Sequence, residues 1–204
     1  PLEARPACSH ANAHGSCYYL WEPDPESLSR IGAEAVEILT PGERIAFVHD
    51  LLPLLQSGSL SGDRLLDLTA RFASDPVPEV VTAVIDVWQA IRDPLVPEPL
   101  REEFALFVRS SLQPARARWG LLPRAEDPIA VAQTRAKVLL WLAREGREER
   151  ATAIADSLGR LYLDDPAACP PDLAETAIQS TARGADFATW ERMRVAFEAA
   201  APQE

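Results

Sequence analysis

Four soft metal-ligand side chains fall close together near the N-terminus, as Cys8-x-His10-x3-His14-x2-Cys17. Thiolates and imidazoles at such density are what zinc takes in a tetrahedral site. A zinc-protease helix, however, needs a glutamate directly after its first histidine to act as general base. In His10-Ala11-Asn12-Ala13-His14 that place is alanine, so the segment does not encode a metalloprotease centre. A structural zinc clip would have to use a Cys-x-His spacing too short for the usual knuckle, and a Cys8–Cys17 disulfide is open on sequence alone. The expectation is a plain loop running into a strand. His49 follows Val48 on a helical stretch and has no nucleophile to pair with, so a hydrogen-bonded or solvent-facing histidine is expected. Glu145, Glu148 and Glu149 interleave with Arg144, Arg147 and Arg150 in the pattern of a solvated helix corner, worth little energy and not a site.

The elements that hold these residues are helical from about residue 43 onward. Ile45, Val48, Leu52 and Leu55 repeat at i, i+3, i+7, i+10, and Val81, Val84, Trp88 and Ile91 repeat that spacing. So do Ala151, Ile154, Leu158 and Leu161, with Leu65, Leu68 and Phe72 as a shorter set; each makes one buried stripe. Thr40-Pro41-Gly42-Glu43 is a capping box with proline at the first helical position. Further helix starts follow Ser61, Asp75-Pro76, Pro97, Asp127-Pro128, Pro170-Pro171 and Gly184, giving about eight helices after residue 40. Pro53 and Pro114 lie inside apolar runs and should end or kink their helices. No Asn-Gly or Asp-Gly hairpin turn occurs. The one strand signature is Ser16-Cys17-Tyr18-Tyr19-Leu20-Trp21, between Gly15 and Pro23-Asp24-Pro25. Consecutive amphipathic helices with short corners predict an all-α fold, a HEAT- or armadillo-like array of antiparallel helix pairs forming an α-α superhelix, with a short N-terminal strand. A compact bundle competes with it.

Composition narrows the function classes. The chain has 204 residues, 47% of them hydrophobic, enough for a proper core and against disorder. Its 20 basic and 31 acidic residues give a net charge of −11, which repels nucleic acid and anionic lipid, so neither is an expected partner. No run of about 18 apolar residues exists to span a membrane. The N-terminus carries no initiator methionine or apolar signal core, and the chain reads as a piece of something longer; its compartment stays open. Lys137 is the only lysine, and the eighteen prolines against nine glycines suit many helix starts and tight corners.

Several motifs, in order, carry a family resemblance. Asn12-Ala13-His14-Gly15-Ser16-Cys17-Tyr18-Tyr19 resembles the Asn-x-x-Gly-x-x-Tyr-Tyr-Arg segment that closes the small β-sandwich of M1-family zinc aminopeptidases. Leu20 stands where that family has arginine, and Cys17 where glycine is common. Leu39-Thr40-Pro41-Gly42-Glu43-Arg44, followed by Asp50 and Gly58, is similar to the family's Leu-(Ser/Thr)-Pro-x-Glu-Arg helix. Trp119-Gly120, Asp127 and Arg135 resemble its mid-domain pattern, and Trp190-Glu191 its last repeats. The resemblance implies that residues 1–25 are the tail of a β-sandwich domain and 26–204 the helical C-terminal domain. Asn12, Gly15, Tyr18, Tyr19, Glu43, Arg44 and Asp50 would then be structural motif residues. It also implies that the catalytic His-Glu-x-x-His domain lies upstream, that zinc belongs to the parent enzyme and no cofactor to this piece, and that no residue here is catalytic. The partners implied are the upstream catalytic and β-sandwich domains of the same chain and a peptide substrate. In such enzymes this domain covers the active site, and an arginine from it can meet a peptide's C-terminal carboxylate, which a planar guanidinium fork suits. Arg109, Arg116, Arg118 and Arg135 are the candidates. Trp88, Trp119, Trp141 and Trp190 are expected mainly in the core, with groove lining as the alternative. A reading from another class is a free-standing helical-repeat scaffold that binds a protein on its concave face.

Overall fold

The computed structural model describes residues 22–199, and within them the chain is all-α. The helices are α1 (Pro25–Ile38), α2 (Pro41–Gln56), α3 (Gly62–Phe72), α4 (Pro78–Leu95), α5 (Arg101–Trp119), α6 (Ile129–Arg144), α7 (Glu149–Asp164), α8 (Ala174–Arg183) and α9 (Phe187–Ala199). Short 3₁₀ turns occupy Glu98–Leu100, Pro166–Ala168 and Pro171–Leu173. The strand expected at residues 16–21, the Cys8–Cys17 cluster and the motif residues Asn12, Gly15, Tyr18 and Tyr19 lie outside the described residues.

Local chemistry sets the helix starts. Thr40 and Glu43 form the reciprocal cap: Glu43 Oε2 accepts the Thr40 backbone N–H at 2.9 Å, and Thr40 Oγ1 accepts the Glu43 N–H at 3.3 Å. Helix α1 begins by the same kind of chemistry. Asp24 Oδ1 accepts the Glu26 and Ser27 N–H groups at 3.1 and 2.9 Å, and Pro25 takes the first helical position. Pro23-Asp24-Pro25 thus opens a helix. Helix α4 starts at Pro78, just after Asp75-Pro76, and Asp75 Oδ1 accepts the Val77 N–H at 2.9 Å in the turn between them.

Neither Pro53 nor Pro114 ends its helix. Helix α2 runs three residues past Pro53, so the ring costs one hydrogen bond in the final turn, and α5 runs past Pro114 to Trp119 with Leu112 and Ala115 fully buried beside it. Burial of the flanking apolar residues outweighs one missing bond.

The described chain forms two compact units. One holds α1 to α4 with residues 111–115. In it α2 packs on α3 and α4, and α1 on α2 and α3. Its core is Phe47, Val48, Leu51, Leu65, Leu68, Phe72, Val81, Val84 and Trp88. Trp88 Nε1 donates to Thr69 Oγ1 at 2.8 Å, which satisfies the one polar atom of a fully buried ring. In α2 the buried stripe is Phe47, Val48, Leu51 and Leu54, rotated from the expected set; Ile45, Leu52 and Leu55 are half-buried. Phe47 decides the face, its ring 5.6 Å from that of Phe72.

The other unit holds residues 100–110 and 116 onward. Here α7 packs on α6 and α8, α6 on α8, and α9 on α7 and α8. Helices α7 and α8 approach closely: a Cβ at Gly159 would overlap the Thr181 hydroxyl and stand 3.0 Å from the Ala177 carbonyl oxygen. Ala151, Ala155 and Leu158 are buried and Ile154 half-buried on α7, while Leu161 is exposed.

Candidate functional site

The four sequence-selected arginines have separate fates, all within the second unit. Arg109 Nη1 donates to the Gly146 carbonyl at 2.5 Å and its Nη2 stands 3.6 Å from Glu102. Arg118 is exposed, its guanidinium 5.6 Å from the centroid of the Trp119 ring. Arg135 is fully buried, pairs with Asp127 and donates through Nε to the Trp119 carbonyl at 3.3 Å. Arg116 lines a cleft.

That cleft, of about 330 Å³, is built by three stretches of chain. The last turn of α5 supplies Arg116. The loop after it supplies Gly120 through Arg124, and the first two turns of α7 supply Arg150 and Ile154. Gly120 sits at a φ of 74°, and its N–H closes α5 on the Arg116 carbonyl at 2.9 Å. A side chain there would be strained, and its Cβ would come within 3.0 Å of Arg124 Nη2, so the bare glycine lets the Arg124 guanidinium lie against the turn. Arg150 and Ile154 are one helical turn apart on α7, hence on one face.

The electrostatics of the three arginines differ. Arg116 Nη1 is 3.1 Å from Glu148 Oε1, while Glu148 Oε2 accepts the Ala151 N–H at 2.8 Å and caps α7. One carboxylate therefore fastens Arg116 to the start of α7. Arg124 and Arg150 are exposed, and neither has an ion-pair partner among the described residues. In a chain of net charge −11 this is a concentration of positive charge with two guanidinium forks open to an anion. Leu121, Leu122 and Ile154 give it an apolar wall. The arrangement suits a carboxylate carried on an apolar group. A larger cleft in the same unit, about 600 Å³, also holds Arg144, Arg147 and Arg183, but Gln179, Glu102 and Glu145 engage them at 2.8, 3.3 and 3.6 Å.

Arg124 and Arg150 are absent from the sequence-based candidates. Arg150 sits in the Arg/Glu run read as a solvated helix corner, and the structure draws from that run both a cleft arginine and the Glu148 cap. The signal was the Arg150–Ile154 spacing, polar and apolar on one face at a helix start.

Other residues singled out in the sequence have structural places. Glu43 makes the α2 cap. Arg44 is buried, donates through Nη1 to the Leu39 carbonyl at 2.7 Å, and meets Asp75 with Nη2 to Oδ1 at 3.2 Å and Nε to Oδ2 at 2.8 Å. Asp50 is half-buried and His49 exposed on α2. Trp88, Trp119 and Trp141 are buried, whereas Trp190 is 51% exposed and stacks with Phe187 at 5.8 Å. Cys169 is buried, and desolvation, then the Asp172 charge, pushes its thiol above the ordinary range, against reactivity. Among the described residues no group of three or more His, Cys, Asp or Glu side chains is placed to hold a metal. No described helix is long and apolar enough to cross a membrane.

The family model of the ERAP1-like C-terminal domain matches residues 10–204, nearly the whole chain. No curated protein matches it in sequence.

Proposed function

The chain belongs to the ERAP1-like C-terminal domain family, and from that premise we propose that it is the non-catalytic C-terminal domain of an M1-type zinc aminopeptidase. In this reading its helices form a curved, HEAT-like wall or lid over a chamber in which peptides lose their N-terminal residue. Residues 1–25 are the tail of the preceding β-sandwich domain, and the Arg116–Arg124–Arg150 cleft receives a peptide's C-terminal carboxylate. The family match carries the first part of this reading. The cleft supports the second, because it presents two exposed guanidinium groups, neither in a salt bridge among the described residues, beside an apolar wall. Zinc in such a parent enzyme supplies an activated water for attack on the N-terminal peptide bond. In this reading its ligands belong to the upstream catalytic domain. This chain's part is to bind and orient the far end of the substrate.

One observation favours the scaffold reading instead. Phe187 and Phe197 on α9 are 79% and 82% exposed, as on a protein-binding helix.

The test is an assay of aminoacyl anilide and peptide hydrolysis with zinc, on the pure chain and on the chain joined to the region that precedes it in its gene. The proposal expects no turnover from the chain alone, and turnover from the longer protein through an upstream His-Glu-x-x-His helix. Zinc-dependent turnover by the chain alone, or a gene with no such motif, would refute it.

A further inference from the structure

Arg135 is fully buried on α6, where a guanidinium needs partners for its charge and its donors, and of its nitrogens Nη1 alone makes no hydrogen bond. Its Nε donates to the Trp119 carbonyl at 3.3 Å, its Nη2 to Asp127 Oδ2, and its Nη1 stands 3.9 Å from Asp172 Oδ2. Trp119 is the last residue of α5, and Asp127 closes the loop that follows. A single side chain therefore clasps both ends of the segment 120–126. That segment brings Leu121, Leu122 and Arg124 to the cleft.

Asp127 also organises the loop from within. The Oδ2 that meets Arg135 accepts the Arg124 backbone N–H at 2.7 Å, and the Asp127 N–H returns to the Arg124 carbonyl at 3.3 Å. Glu126 inside this turn takes a φ of 67°, a left-handed conformation that costs a non-glycine residue energy and persists where its surroundings hold it. The backbone that carries the Arg124 guanidinium is thus tied to a carboxylate, and the carboxylate to a buried arginine.

We propose that Asp127, fixed by the buried Arg135, is a positioning residue for the cleft: it sets where Arg124 presents its guanidinium to an anionic ligand. The inference rests on the carboxylate reading of the cleft. It gives the Trp119, Asp127 and Arg135 pattern a role, the two charged residues acting through Arg124 without touching the ligand.

Two readouts test it on the 204-residue chain: hydrogen exchange of the Arg124 backbone amide, and titration with a peptide ending in a free leucine carboxylate against the same peptide as its C-terminal amide. Both are measured for wild type, Asp127→Asn, Arg124→Ala and the double variant. Asp127→Asn should speed exchange of the Arg124 amide about ten-fold or more. It should weaken the free-acid peptide about ten-fold, with little effect on the amide form. In the Arg124→Ala background it should weaken binding no further, because its effect passes through Arg124. Unchanged exchange, or additive losses in the double variant, overturns the positioning role. A wild type that binds both peptides equally overturns the carboxylate reading instead, and the exchange rates then decide alone whether Asp127 holds the loop. If Asp127→Asn does not fold because Arg135 is left without its counter-charge, Arg135→Lys takes its place. Its ammonium keeps the charge but cannot fork between Trp119 and Asp127, so the same pattern is expected.

Discussion

The charged residues of this chain divide into those spent on the fold and those left over, and burial draws the line. Arg44 and Asp75 are 4% and 2% exposed, and two contacts join them. Replacing Arg44 by methionine leaves a carboxylate buried without its charge partner, and should cost about 3–5 kcal/mol in urea unfolding at unchanged m. Asp24 and Asp127 carry a pH signature. The Ser27 backbone N–H at Asp24, and the Arg124 backbone N–H followed by the Arg135 charge at Asp127, hold both carboxyls below their ordinary 3.8. The folded state then binds these protons more weakly than the unfolded chain. The stability they contribute is complete above 3.8 and is lost as pH falls through the lower folded values. Acid unfolding followed by circular dichroism should show a shallower fall for Asp127→Asn than for wild type below that point. In the sequence Arg44 and Arg135 stand out only as motif members. Their partners, 31 and 8 residues away, are set by tertiary packing, and no local spacing reveals them.

At the scale of elements the sequence was most legible where the backbone's unpaired N–H groups demand specific chemistry. Thr40-Pro41 marks the start of α2 in this way, whereas Ser61 and Asp127-Pro128 precede α3 and α6 with no side chain capping the first turn. Replacing Thr40 by alanine should cost about 1 kcal/mol, readable as a drop in the unfolding midpoint. Helix α1 was harder to see because Pro23-Asp24-Pro25 serves equally well as a stop and as a start. In α2, apolar residues lie nearly all round the helix, so two stripes fit the period, and only the Phe47–Phe72 contact selects one. The α7–α8 crossing gives a sharper test. Gly159→Ala should destabilise by about 1–3 kcal/mol through overpacking against Thr181, and Thr181→Ser should recover little of it because the hydroxyl itself is in the way.

For the molecule as a whole, the order of motifs along the chain carried more than any one of them. Each motif has several structural uses, but an Asn-x-x-Gly-x-x-Tyr-Tyr segment, a capped Glu-Arg helix and a Trp-Gly…Asp…Arg segment in that order fit one family, and the family match spans residues 10–204. The arginine-lined cleft was not legible in this way, since Arg116, Arg124 and Arg150 meet only after α5, its loop and α7 are folded. The most direct test of that cleft is calorimetric titration of the chain with a peptide bearing a free C-terminal carboxylate and with its amide, in wild type and in the Arg124→Ala/Arg150→Ala double variant. The free acid should bind wild type about ten-fold or more tightly than the amide, with the difference shrinking as salt rises and absent from the double variant. Equal binding of the two peptides to wild type, or a preference for the acid that survives loss of both arginines, would contradict it.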